Sequence, residues 1–176
     1  MRYFKPELFV QLQNRCDAGA RRTADIAWEE AIEDYRARVK DLGARLPASV
    51  RRLVKDYQLH DADVLAMDQS RRNLTVTLNL DPPREHFLVL TYHLADKLSI
   101  DRAALPTGMC SRSPKWLYDE FDADKSRSRQ AIWSHYFLLS NGWETRVRFS
   151  KLAVSLREAL LPCPDGEIAI AVPRSA

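Results

Sequence analysis

Residues 131–149 read AIWSHYFLLSNGWETRVRF, two runs rich in aromatic and branched residues on either side of Asn141-Gly142. Asn-Gly between strand-like runs is a strong local signal for a β-hairpin, and it predicts a type I′ turn with a two-residue loop. Such a loop fixes the register, so that Ser140 faces Trp143, Leu138 faces Thr145 and Tyr136 faces Val147. Side chains alternate across a strand. One face therefore collects Ile132, Tyr136, Leu138, Trp143, Val147 and Phe149, which reads as core. The other face carries Trp133, His135, Phe137, Glu144, Arg146 and Arg148, with Phe137 opposite Arg146 and His135 opposite Arg148. Aromatic and arginine side chains on an open sheet face can anchor a protein partner or stack on RNA bases. They can equally pair across strands by cation–π contact, and that plainer reading carries more weight.

Outward from the hairpin, LTVTLNL at 74–80 alternates without interruption and is the clearest strand in the chain. Ser70-Arg71-Arg72-Asn73 separates it from VLAMD and reads as a hairpin loop, while Asp81-Pro82-Pro83 ends it, because proline has no N–H for a ladder. HFLVLTYHL at 86–94 has a continuous apolar run from Phe87 to Leu90, which suits a central strand covered on both faces. Residues 95–115 read as an irregular connection punctuated by Pro106, Gly108 and Pro114. WLYDEFD at 116–122 is a further strand, the polar loop ADKSRSRQ follows it, and KLAVSL at 151–156 continues from the hairpin.

The first third of the chain has the helical period instead. Leu8, Phe9 and Leu12 share one face of a short helix over 5–14, with Pro6 in its first turn, where a missing N–H costs little. Ala27, Trp28, Ile32, Tyr35, Val39 and Leu42 mark a longer helix over 24–44, whose charged side is a solvated face. Pro47 opens a third helix, PASVRRLVKDYQL. The expected fold is α+β: two or three N-terminal helices over residues 1–60 covering one face of an antiparallel sheet of about six strands over 61–160. Residues 161–176 form a tail, and the whole is expected to be one domain.

The 176 residues are 45% hydrophobic and 29% charged, an ordinary globular composition. No apolar run approaches the ~20 residues that span a bilayer. Lys5, Pro6 and Glu7 fall where a signal peptide needs an apolar core. Cys16, Cys110 and Cys163 form neither a disulfide framework nor a metal clip. A cytoplasmic protein is expected, with no membrane association. Residues 1–60 carry 12 Lys/Arg against 9 Asp/Glu, the whole of the +3 net charge, yet the signs alternate as in EEAIEDYRARVKD. Steering of nucleic acid is therefore not expected.

MRYFKPELF at 1–9, ARLPASVRRL at 44–53, LHDADV at 59–64, LTVTLNLD at 74–81 and WLYDEF at 116–121 together resemble a bacterial family of uncharacterised proteins, a domain of unknown function that opens M-K/R-Y-F-x-x-E-L. The pieces occur in the family's order. The resemblance implies the α+β architecture and brings no activity with it.

QLHDADV at 58–64 lies where the period changes from helical to alternating. His60 and Asp61 could serve a metal-assisted hydrolase, with Asp119 or Glu120 from WLYDEF as further acids, since imidazole and carboxylate suit Zn²⁺ or Mn²⁺. The plainer reading makes His60 a cation near a helix C-terminus and the aspartates turn caps. Alternation also sends Asp119 and Glu120 to opposite faces and puts Trp116 and Tyr118 on one. If His60 and Asp61 do meet WLYDEF in space, then His60, Asp61, Tyr118, Asp119 and Glu120 form the one polar pocket of interest. No phosphate loop, nucleophile elbow or HxxxH spacing occurs, so no catalytic residue, metal or cofactor is assigned. The expectation is a non-enzymatic protein-binding module, with RNA binding through Arg146 and Arg148 as a weaker alternative.

Overall fold

The computed structural model describes residues 1–13, 18–80, 86–105, 113–124 and 131–158. Helix α1 (Pro6–Leu12) starts at its proline, as the missing N–H favours. Helix α2 (Ala18–Leu42) begins six residues before the expected start at residue 24 and extends about 37 Å. A 3₁₀ turn (Gly43–Arg45) leads to α3 (Ala48–Asp56), whose Val50 and Leu53 are buried.

Seven strands follow: β1 (Asp63–Ser70), β2 (Asn73–Asn79), β3 (His86–Leu94), β4 (Ser99–Arg102), β5 (Trp116–Ala123), β6 (Trp133–Leu139) and β7 (Trp143–Glu158). They form one antiparallel sheet in the order β1-β2-β3-β7-β6-β5. β4 lies in the stretch expected to be irregular and pairs with the start of β7. β3 is internal, between β2 and β7, as its continuous apolar run required. The two runs WETRVRF and KLAVSL are one strand of 16 residues. Its first half pairs with β6 and its second half with β3.

The ends of this order meet. An isolated bridge joins Asp63 to Lys115, and the N–H groups of Asp61 and Val64 donate to the carbonyls of Trp116 and Pro114 at 2.8 Å each. The N–H of Trp116 returns a bond of 2.8 Å to the carbonyl of Ala62. The sheet thus curls until its first and last strands touch at one corner. Inside the curl lies the main core, with Val76, Leu90, Tyr92, Trp116, Phe121, Phe137 and Phe149 from the sheet and Leu42, Leu46, Val50 and Leu53 from α2, its 3₁₀ extension and α3. A smaller core of Phe9, Leu117 and Leu138, flanked by Trp28 and Tyr118, lies on the other face of β5 and β6. The helices therefore serve both faces of the sheet rather than one.

The β6–β7 hairpin departs from the two-residue loop. Leu138 faces Glu144, Tyr136 faces Arg146, Ser134 faces Arg148 and Trp133 faces Phe149, a register one residue away from the expected one. The loop has three residues, Ser140, Asn141 and Gly142, closed by a Gly142 N–H bond of 2.9 Å to the carbonyl of Leu139. Ser140 is withdrawn from the hairpin because it pairs sideways with the start of β5. Its N–H donates to the Lys115 carbonyl, and its Oγ accepts the Lys115 N–H, both at 2.8 Å. Slipping by one residue turns a strand over. Trp133, His135 and Phe137 therefore point into the main core, at 7%, 0% and 0% exposure, while Tyr136 leaves it. The β7 residues Val147 and Phe149 are core as expected. The chain ending at Asp81-Pro82-Pro83, the punctuation at Pro106 and Gly108, loop residues 125–130, all three cysteines and the tail 161–176 lie outside the described residues.

Gly142 has φ +82°, and a Cβ built on it would sit 2.6 Å from the Ala103 carbonyl oxygen. That carbonyl belongs to a segment tied in place by the Ala103 N–H bond to Gly142 O, 2.7 Å long. Gly142→Ala is therefore expected to lower stability by about 2 kcal/mol or more, combining left-handed strain with displacement of backbone. Urea unfolding checks this; a loss within ~0.5 kcal/mol, the ordinary range for an unconstrained surface site, contradicts it.

Candidate functional site

The joint between helices and sheet is where QLHDADV sits, and it does meet WLYDEF. Leu59 to Ala62 form a turn closed by an Ala62 N–H bond of 3.0 Å to the Leu59 carbonyl, with Asp61 at φ +66°. Aspartate tolerates that left-handed conformation better than most residues. His60 is not at the end of α3, which stops at Asp56. Its Nδ1 lies 2.5 Å from the Leu117 carbonyl and its ring 5.0 Å from that of Tyr118. Its Nε2 is 3.5 Å from the Asp61 carboxylate. Lys115 Nζ adds bonds to the Asp61 carbonyl and to the Asp63 carboxylate, at 3.2 and 3.1 Å. His60, Asp61 and Tyr118 are thus brought together.

Asp119 and Glu120 are not part of that cluster. A bulge between Trp116 and Tyr118 turns the strand, so these two aromatics face opposite sides, contrary to simple alternation. Trp116 enters the main core, stacked on Phe137 at 4.2 Å. Tyr118 faces the helices, with Phe4, Phe9 and Trp28 at 5.7, 5.5 and 4.5 Å between ring centroids. Glu120 shares the side of Tyr118 and is 2% exposed. Its carboxylate accepts the N–H groups of Arg2, Tyr3 and Phe4 at 2.9, 2.7 and 2.6 Å. These are charge-assisted bonds, and they hold residues 1–5 across the sheet as a strap. Nearby, Tyr35 Oη accepts the Phe121 N–H at 2.8 Å, so α2 shields part of the edge of β5.

Asp119 points the other way, into a buried chain. Tyr92 O–H donates to His135 Nδ1 at 2.8 Å, His135 Nε2–H donates to Asp119 Oδ2 at 3.1 Å, and Trp116 Nε1–H donates to Asp119 Oδ1 at 3.1 Å. Phe121 stacks on the imidazole at 3.7 Å. Every polar atom named here has a partner, as a buried network requires. The order Asp–His–hydroxyl resembles a nucleophile-activating relay, but Tyr92 and His135 are both fully buried. This chain holds the core together rather than presenting a reactive group.

Arg146 and Arg148 stay on the outer face, as expected, but apart from Trp133, His135 and Phe137. Arg146 lies over the Tyr136 ring at 5.3 Å and 3.6 Å from Asp124. Arg148 bonds Asp124 at 2.5 Å and also contacts Asp96. Both cations are neutralised in place. Among the described residues no group of three or more His, Cys, Asp or Glu side chains is set to hold a metal ion. No described helix is long and apolar enough to cross a membrane.

A recess of about 400 Å³ lies between the strap, α1 and α2, lined by Tyr3, Glu7, Leu8, Ala27, Glu30 and Ala31 among others. A second recess of about 320 Å³ shares Arg2, Tyr3 and Asp34 with it and continues along α2 to Arg38 and Asp41. The sequence pattern did not reveal this groove, because one wall is the strap and depends on Glu120 far along the chain. No family model, curated protein or solved structure matches this chain.

Replacing Glu120 with alanine strands three backbone donors, one of them buried, and is expected to cost about 2–3 kcal/mol. Faster hydrogen exchange at the amides of Arg2, Tyr3 and Phe4 should accompany the loss. Burial also pushes the hydroxyls of Tyr35, Tyr92 and Tyr118 above the ordinary tyrosine value; the Asp119 charge adds to this at Tyr35 and Tyr92, and Asp61 at Tyr118. The folded state keeps these protons where the unfolded chain releases them. Stability from these groups is complete below about pH 10 and falls as pH rises beyond it. Phenolate absorbance from the three residues should appear together with loss of the far-ultraviolet circular dichroism signal, and Tyr35→Phe should make the fall less steep.

Proposed function

We propose that the protein is a non-enzymatic bacterial binding module that acts in the cytoplasm and receives a protein partner in the groove between the strap and α2. The observation that carries this reading is the use made of the acid and base groups. Glu120 holds the strap, Asp119 and His135 belong to a buried chain, and His60 is bonded to the backbone at the sheet corner. A hydrolase built on His60 and Asp61 would draw a further carboxylate from Asp119 or Glu120, and both are committed elsewhere.

The groove supports a partner of basic character. Glu7, Glu30 and Asp34 line it and form no ion pair among the described residues, against two lining bases, Lys5, equally unpaired, and Arg2, which lies 4.0 Å from Asp122. Leu8, Ala27 and Ala31 supply apolar surface between them. Unpaired carboxylates around an apolar floor favour a complementary lysine- or arginine-bearing segment, chiefly through association rate and choice of partner.

A photo-crosslinking side chain at Ala31, in cells that express the chain, is expected to trap an adduct of defined mass. The adduct should disappear when Glu30 and Asp34 are both changed to arginine. Labelling no different from that of the same crosslinker at exposed Lys40 would contradict the proposal.

A further inference from the structure

The tip of the β1–β2 hairpin has the wrong residues for a turn chosen by backbone preference alone. The last rung of the ladder is Ser70 with Asn73, which leaves Arg71 and Arg72 as the whole loop. Arg71 has φ +52°. A two-residue hairpin loop favours asparagine, aspartate or glycine at such a position, because a longer side chain in the left-handed region is disfavoured. Strain of this kind clusters where a side chain binds something, and the arginine side chain is the group that could do so here.

Arg71 and Arg72 border a recess of about 230 Å³, completed by Gln69, Leu94, Ala95, Asp96 and Lys97. The recess is held by backbone bonds. Leu94 N–H donates to the Arg72 carbonyl at 2.6 Å, and Ala95 N–H donates to the Arg148 carbonyl at 2.8 Å. The hairpin tip is thereby fixed against the segment that bears Lys97. Arg71, Arg72 and Lys97 are exposed, and none of them forms an ion pair among the described residues. The lining carboxylate, Asp96, is engaged by the Arg148 guanidinium, which also bonds Asp124. Three unspent cations therefore border a recess whose lining carboxylate is already compensated.

We propose that this recess binds a small phosphorylated ligand, a phosphomonoester or pyrophosphate group. Planar guanidinium groups match phosphate oxygens two at a time, and a phosphate with close to two negative charges answers several cations better than a carboxylate does. Lys97 adds a point charge, Gln69 offers amide donors to an ester or sugar oxygen, and Leu94 and Ala95 form an apolar floor. The volume suits a phosphate with little more than a sugar attached, below the ~300 Å³ at which pockets for drug-sized ligands begin. Among the described residues no aromatic side chain lines the recess, so the stacking platform that single-stranded nucleic acid uses is missing from this lining. The site is independent of the groove along α2 and lies at the other end of the sheet's chain order.

The test is calorimetric titration of the full chain with inorganic pyrophosphate at low and at physiological salt. One saturable site is expected, with affinity falling as salt rises. Arg72→Ala and Lys97→Ala should each weaken it tenfold or more. Arg71→Gly is the informative variant, since glycine accepts the left-handed turn: it should raise the melting temperature and still weaken binding tenfold or more. Arg36→Ala, at an exposed position on α2, should change nothing. Absence of saturable binding would overturn the proposal, as would affinity unchanged in Arg71→Gly, Arg72→Ala and Lys97→Ala. Preferential binding of a single-stranded RNA that pyrophosphate does not displace would overturn it too, in favour of a nucleic-acid surface.

Discussion

The fold depends on four residues of backbone, 61–64, meeting three others, 114–116. Without their hydrogen bonds and the Asp63–Lys115 bridge, β1 and β5 would be two open edges of a flat ladder. Open edges invite pairing with other chains, and a flat sheet could not enclose Tyr92, Trp116, Phe121 and Phe149 in one core. The closure also explains the local chemistry of the joint. Asp61 takes a left-handed turn so that its N–H can reach Trp116 O, and His60 then falls against Leu117 and Tyr118. A stretch that looks like an acid–base cluster is the hinge by which helices hand over to a curled sheet.

The same corner accounts for the hairpin register. Ser140 could have paired with Trp143 across a two-residue turn, which Asn141-Gly142 favours. Instead its N–H and Oγ both bond the backbone of Lys115, inside the closure and just before β5. Two bonds to Lys115 prevail over the local preference, and the loop lengthens to three residues with Gly142 still in its left-handed role. The consequence runs the length of β6, where Trp133, His135 and Phe137 become interior.

What could be read from the residues alone follows from the range of each interaction. The alternation of LTVTLNL, the apolar run HFLVLTYHL and the period-3.6 stripes are local. The structure places β2, β3 and the three helices where they indicate, with α2 beginning earlier because its polar first turns have no stripe to mark them. The separation of Asp119 from Glu120 was equally legible, since alternation requires it. The bulge that parts Trp116 from Tyr118 was not, and neither was β4, four exposed residues that pair only with the start of β7. The role of Glu120 left no trace either, because its partners are backbone N–H groups more than a hundred residues away, and any side chain could carry them.

These assignments leave the conspicuous acids and the buried histidine as parts of the scaffold, with the surface groove and the hairpin tip free to bind. The whole arrangement requires the corner at 61–64 to be a closed seam. Amide hydrogen exchange at Asp61, Val64 and Trp116, read residue by residue in the native state, tests it most directly. The account predicts that all three exchange only with global unfolding, as slowly as the central amides of β3. Exchange at rates of a fraying loop, while β3 remains protected, would show the corner to be open and would contradict it.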